Sequence, residues 1–143
     1  MADSTLKTVL LVEDNPADIY LIQAAVAEYG NDLRLWLVTN GLDALTFLRK
    51  EGPYVHAPSP ALIILDINLP QMHGTEVLAE LRTLPAYEAT PVVMFTSARR
   101  DLEEQHCLHL GANAYVQKPA TLDDFFAAVH AMVRQWLRQD GSP

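Results

Sequence analysis

Short apolar runs alternate along the chain with stretches in which apolar positions recur every three to four residues. The runs are Thr8-Val9-Leu10-Leu11-Val12, Leu33 to Val38, Ala61-Leu62-Ile63-Ile64-Leu65, Pro91-Val92-Val93-Met94-Phe95 and Asn113-Ala114-Tyr115-Val116. Uninterrupted, β-branched runs of this length are expected of parallel strands buried on both faces. Between them the spacing predicts helices. Ile19, Ile22, Ala25, Val26 and Tyr29 form one repeat, opened by Asn15 as cap and Pro16 in the first turn and stopped by Gly30-Asn31. Gly41 to Lys50 is predicted to turn Leu42, Leu45 and Leu48 inward. Thr75 to Leu84 is closed by Pro85, and Arg100 to Leu110 ends at Gly111. Thr121 caps a long final helix whose apolar face is Leu122, Phe125, Phe126, Val129, Met132, Val133, Trp136 and Leu137. Residues 52–60 carry three prolines and read as a longish loop.

Five strands alternating with five helices predict an α/β fold, a doubly wound parallel sheet with right-handed crossovers. The strand order expected for this count is the flavodoxin-like 2-1-3-4-5, a five-stranded (βα)5 sheet. In that order the first and third strands are neighbours at the switch point, where open α/β sheets place their ligands. Glu13-Asp14 and Asp66 would then meet at one edge, with Thr96 and Lys118 on the strands beyond. A carboxylate such as Asp66 at the end of a buried strand is costly unless something pairs it.

Composition narrows the function. The 143 residues suit one domain spanning 1–143, and half of them are hydrophobic, as in a globular protein. Net charge is −8, from 18 acidic and 10 basic residues, with no basic stripe to grip nucleic acid. The single cysteine, Cys107, allows neither an internal disulfide nor a cysteine-built zinc site and reads as a small buried helix residue. The N-terminus lacks a charged leader and no apolar run approaches the roughly 20 residues of a membrane span, so a cytoplasmic protein is expected. Only the ends, about 1–6 and 139–143, read as loose. His106 and His109 are three apart on a helix, but with no third ligand they read as solvent-exposed; His73 reads as a loop residue.

The chemistry concentrates in the acidic residues. Three converging carboxylates raise one another's pKa unless a cation sits among them. Two cations are available, the ammonium of Lys118 and a divalent metal. An all-oxygen donor set without His or Cys points to Mg²⁺. A carboxylate beside Mg²⁺ and a lysine suits phosphoryl transfer, with Asp66 as nucleophile forming an acyl phosphate and Thr96 offering a hydroxyl donor.

Val12-Glu13-Asp14-Asn15, Leu65-Asp66-Ile67-Asn68-Leu69-Pro70 with Gly74, Thr96-Ser97-Ala98, Tyr115, and Lys118-Pro119 together resemble the receiver domain of two-component response regulators. The resemblance covers nearly the whole chain. It implies that Asp66 is the phosphorylated aspartate, and that Glu13 and Asp14 hold Mg²⁺ (or Mn²⁺) with Asp66 and the backbone carbonyl of Asn68. Asp14 reads as the direct ligand, and Glu13 can act through water. Lys118 would contact the phosphoryl group, Lys118-Pro119 would be a cis peptide, Thr96 would be the switch hydroxyl and Tyr115 the switch aromatic. Asn15-Pro16-Ala17-Asp18, the proline-containing loop before the Asp66 strand, Asn68-Leu69-Pro70 and the last helix with Trp136 are similar to the small single-domain regulators that partner bacterial phytochrome histidine kinases. That subgroup is often dimeric, here through the C-terminal helical face. With no room for an effector domain after the fifth helix, the expected output is a protein-interaction surface that changes on phosphorylation. Two alternatives remain: a phosphorylation-independent scaffold, and an aspartyl-phosphate phosphohydrolase. The second is disfavoured by Asn68, which stands where such enzymes carry an acid.

Overall fold

The computed structural model describes residues 6–137. The ends read as loose fall, apart from Leu6, outside these described residues. Five strands, β1 (Lys7–Val12), β2 (Leu33–Val38), β3 (Leu62–Leu65), β4 (Val92–Thr96) and β5 (Ala114–Gln117), form one sheet. Its order is β2-β1-β3-β4-β5, and every pair is parallel. The intervening helices are α1 (Pro16–Tyr29), α2 (Gly41–Leu48), α3 (Gly74–Leu81), α4 (Arg100–Leu110) and α5 (Leu122–Leu137), with short 3-10 turns at Gly52–Tyr54 and Pro85–Tyr87. This is the flavodoxin-like order expected from the alternation of runs.

The apolar runs are continuous because both faces of the sheet are covered, and the pleat sorts their residues. Leu10, Val12, Ile63, Leu65 and Met94 point to one face, against Ala44 and Phe47 of α2, Val77 and Leu81 of α3, and Cys107 of α4. Val9, Leu11, Leu62, Ile64 and Phe95 point to the other, against Ile22 and Val26 of α1 and Phe125, Val129 and Val133 of α5. A one-residue slip would exchange the two cores. Truncating a residue as buried as Ile64 to alanine costs about 2–5 kcal/mol.

Caps set the helix starts. Asn15 Oδ1 accepts from the Asp18 N–H at 3.0 Å, and Asn40 Oδ1 from the Asp43 N–H at 2.8 Å. Glu76 reaches back to accept from the His73 N–H at 3.0 Å, which places His73 at the cap of α3.

Three positions of the expected apolar stripes lie outside, Tyr29 among them at 37% exposure. Leu42 is 52% exposed, because the buried stripe of α2 runs through Gly41, Ala44, Leu45, Phe47 and Leu48 and leaves position 42 on the outer flank. Leu122 is 58% exposed despite its helical spacing from Phe125. It opens α5 beside the loops that follow β4 and β5, where it helps line a surface cavity with Ser97 and Lys118 instead of meeting the sheet.

Candidate functional site

The register of the central strands builds the site. Val12 and Leu65 are partners across β1 and β3, and the Asp66 N–H donates to Val12 O at 3.1 Å. Glu13 and Asp66 therefore leave adjacent strands at the same level, on the seam where the chain reverses its winding. On the far side, Thr96 pairs with Gln117, and the Lys118 N–H donates to Thr96 O at 2.8 Å. The Asp66 strand end is pinned from above by α3. A Cβ on Gly74 would stand 2.0 Å from Asp66 O and 2.7 Å from Ile67 Cα, so only glycine lets the helix start there. The Gly74 N–H donates to Ile67 O at 2.7 Å.

Glu13, Asp14 and Asp66 each offer a carboxylate oxygen within 4.8 Å of the others. Glu13 and Asp66 are buried and Asp14 is exposed. Asp66 Oδ1 accepts from the Ile67 N–H at 2.7 Å, and Glu13 Oε2 accepts from the Asn15 N–H at 3.1 Å. The Lys118 ammonium, its side chain 5% exposed, donates to Glu13 Oε1 at 2.7 Å and Asp66 Oδ2 at 3.2 Å. Burial pushes the Glu13 carboxyl up to about 7, with the Asp66 charge adding to burial against the opposing pull of Lys118. Burial alone would lower Lys118, but its bonds to Asp18 and Glu13 and the Asp66 charge outweigh it and hold the ammonium above its ordinary range. Acid residues thus outnumber the one bound cation. Hard oxygen donors with spare negative charge fit a Mg²⁺-sized divalent ion, which takes few protein carboxylates and keeps several waters.

Of the residues named from the sequence, Glu13, Asp14, Asp66 and Lys118 converge. Asn68 lies two residues beyond Asp66 on the exposed loop. Thr96 is fully buried, and its Oγ1 accepts from the Ala98 N–H at 3.2 Å. Tyr115 is 4% exposed and packed inward, its hydroxyl donating to Ala98 O at 2.8 Å. Burial first, then the nearby Cys107 and Glu103, push that hydroxyl up to about 12. Thr96 and Tyr115 thus grip the two sides of one peptide segment. The Lys118–Pro119 bond is a correction: it is trans, with no cis peptide among the described residues. Trans is the ordinary preference before proline, by about 0.5–1 kcal/mol, and here the trans chain already brings the ammonium to the carboxylates.

Sequence reasoning met Asp18 only within the Asn15-Pro16-Ala17-Asp18 stretch and gave it no role at the site. Its Oδ2 accepts from Lys118 Nζ at 2.7 Å, across 100 positions of sequence. The local signal at this position was that of an acid in the first turn of a helix, which is ordinary. His106 and His109 are exposed, as expected, and Cys107 is buried.

A doubly wound sheet with an oxygen-only acidic cluster and a buried lysine at its switch point carries its charged groups where open α/β sheets place their ligands. Comparison with known proteins makes this specific. The response regulator receiver domain family matches residues 9–130. The chain is similar to response regulator Rcp1 of Synechocystis sp., 37% identical over 131 residues that cover 92% of this chain and 89% of Rcp1. Among solved structures it resembles the phosphorylated cyanobacterial phytochrome response regulator RcpA, at a TM-score of 0.90 and 38% identity over 96% of this chain and 99% of RcpA. It also resembles the Mn²⁺-bound form of Rcp1, at a TM-score of 0.87 and 36% identity over 96% and 99% of the two chains. The chain belongs to the response regulator receiver domain family.

Proposed function

We propose that Asp66 accepts a phosphoryl group from the phosphohistidine of a histidine kinase, and that Glu13, Asp14, Asp66 and the Asn68 carbonyl hold the Mg²⁺ (or Mn²⁺) this requires. The convergence of Glu13, Asp14 and Asp66 oxygens within 4.8 Å, with Lys118 Nζ 3.2 Å from Asp66, carries the reading. An Asp66 carboxylate oxygen attacks phosphorus, the P–N bond to the imidazole breaks, and an acyl phosphate remains on Asp66. Lys118 neutralises charge on the transferred group, and Thr96 is within the same strand-end cluster to offer its hydroxyl. The metal, when bound, supplies positive charge to the phosphoryl oxygens.

The relatives Rcp1 and RcpA support a phytochrome-type kinase as donor, RcpA being a cyanobacterial phytochrome response regulator. The Mn²⁺-bound form of Rcp1 supports a divalent ion at the acidic cluster. The chain is a phosphoacceptor and not a turnover enzyme, since Asn68 offers no carboxylic acid two residues beyond Asp66. Its output is a protein surface on the side of α4, β5 and α5. There Tyr115 anchors the segment after Thr96, while Leu102 and Leu108 of α4 stand 66% and 38% exposed. A second copy of the chain, meeting it through this C-terminal helical face, is one partner consistent with that surface.

Incubation with acetyl phosphate and Mg²⁺ is expected to give a covalent adduct that survives acid and is cleaved by hydroxylamine. Asp66→Asn is expected to abolish it; equal labelling of Asp66→Asn would end the assignment.

A further inference from the structure

The Lys118 ammonium has three protons, and three carboxylates take them: Glu13 and Asp18 at 2.7 Å and Asp66 at 3.2 Å. Its longest contact is to the residue that would carry the phosphoryl group. Lysine donates only through these protons, so a phosphoryl oxygen gains Lys118 only when a present acceptor gives way. The three acceptors differ in what release would cost. The Glu13 side chain is 1% exposed, and losing Lys118 would leave its charge in a poorly solvated place, whereas Asp66, 9% exposed, gives its carboxylate charge to the acyl phosphate and frees only the long 3.2 Å contact. The Asp18 side chain is 22% exposed, on the wall of a surface cavity of about 450 Å³ that Lys118, Ser97 and Leu122 also line. Asp18 also lies in the first turn of α1, where the helix dipole favours a carboxylate whether or not a cation is beside it.

We propose that Asp18 is a positioning residue for phosphoryl acceptance: it competes with the phosphoryl group for Lys118 and is the acceptor that gives way. The proposal rests on the reading of Asp66 as phosphoacceptor. Asp18 holds the ammonium toward α1 while Asp66 is free. Added negative charge on Asp66 then draws Lys118 over, and Asp18 turns to solvent. Removing the Asp18 charge makes the resting pull weaker and the loaded site easier to fill.

Beryllofluoride, which adds to a carboxylate as a phosphoryl mimic, tests this when titrated with Mg²⁺ and followed by fluorine NMR. Asp18→Asn is expected to bind it about three- to five-fold more tightly than wild type, the scale of losing one partly exposed ion pair. Asp18→Glu keeps the charge and is expected to bind like wild type. A merely structural role would loosen binding in both variants. If wild type binds and Asp18→Asn is equal or weaker, or if Asp18→Glu tightens as much as Asp18→Asn, the role of Asp18 is overturned while that of Asp66 stands. A wild-type chain that neither binds beryllofluoride nor is labelled by acetyl phosphate overturns both.

Discussion

The two ends of the sheet each draw in a long cationic side chain, and they satisfy it in opposite ways. At the carboxyl end, Lys118 donates to three carboxylates, from Glu13, Asp18 and Asp66. At the amino end, Arg82 follows α3 and spreads its guanidinium over neutral acceptors: Gly111 O at 3.0 Å, Tyr87 O at 2.8 Å and Asn113 Oδ1 at 2.9 Å. Asn113 Oδ1 also accepts from the Val92 N–H at 2.9 Å, so the Arg82 cluster ties the end of α3 and the end of α4 to the starts of β4 and β5. Burial lowers the Arg82 guanidinium below its ordinary value, whereas the carboxylates hold Lys118 above its own. The Arg82 cluster is complete with one cation. The Lys118 cluster has more negative charge than its one cation offsets, which suits it to a divalent cation and to the phosphoryl acceptance proposed for Asp66. A long basic side chain acts as a structural staple or as part of a reactive site according to the charge of what surrounds it.

That contrast can be broken at either end. Replacing Lys118 with alanine removes the one fixed cation facing Asp66. It is expected to slow labelling by acetyl phosphate about 100-fold, the scale of deleting one electrostatic stabiliser from an active site. Labelling within two-fold of wild type would mean that the metal alone suffices. Arg82→Ala should do the reverse. Urea denaturation is expected to show a loss of about 2–3 kcal/mol, since buried carbonyls lose charge-assisted donors, while labelling at Asp66 stays unchanged. A fall in labelling in the folded variant would show that the two ends are coupled.

The smallest effect is a pH dependence confined to the carboxyl end. Glu13 titrates near 7 instead of its ordinary 4.5, so the folded protein holds this proton more tightly than the unfolded chain does. Its contribution to stability is full below about 4.5 and is lost as pH rises through about 7. A divalent cation reverses that penalty by favouring the ionised form. The rise in melting temperature on adding Mg²⁺ should therefore be larger at about pH 8 than at about pH 5.5. Glu13→Gln should flatten the difference and Arg82→Ala should keep it. An equal rise at both pH values would remove Glu13 from the metal site.

The fold was legible because its signals are local. Five apolar runs and their intervening helical repeats announce a parallel sheet covered on both faces, and Asn15 and Gly111 mark where elements must start or stop. Glu13, Asp14, Asp66, Thr96 and Lys118 were legible as a group because strand ends in such a sheet lie at one edge. Leu42 and Leu122 were misplaced because helical spacing locates a stripe only to within one position, and it does not say where a helix overhangs the sheet.

The sequence by itself determined the element types, their order and the residues at the strand ends, since each depends on neighbours a few positions away. Only the tertiary structure decided that Asp18 shares Lys118 with Glu13 and Asp66, that Lys118–Pro119 is trans, and that Arg82 joins two helices to two strands. Those outcomes turn on ångström distances between groups far apart in the chain. An ion pair between positions 18 and 118 leaves no trace in local pattern, because its energy exists only once the backbone has brought the charges together.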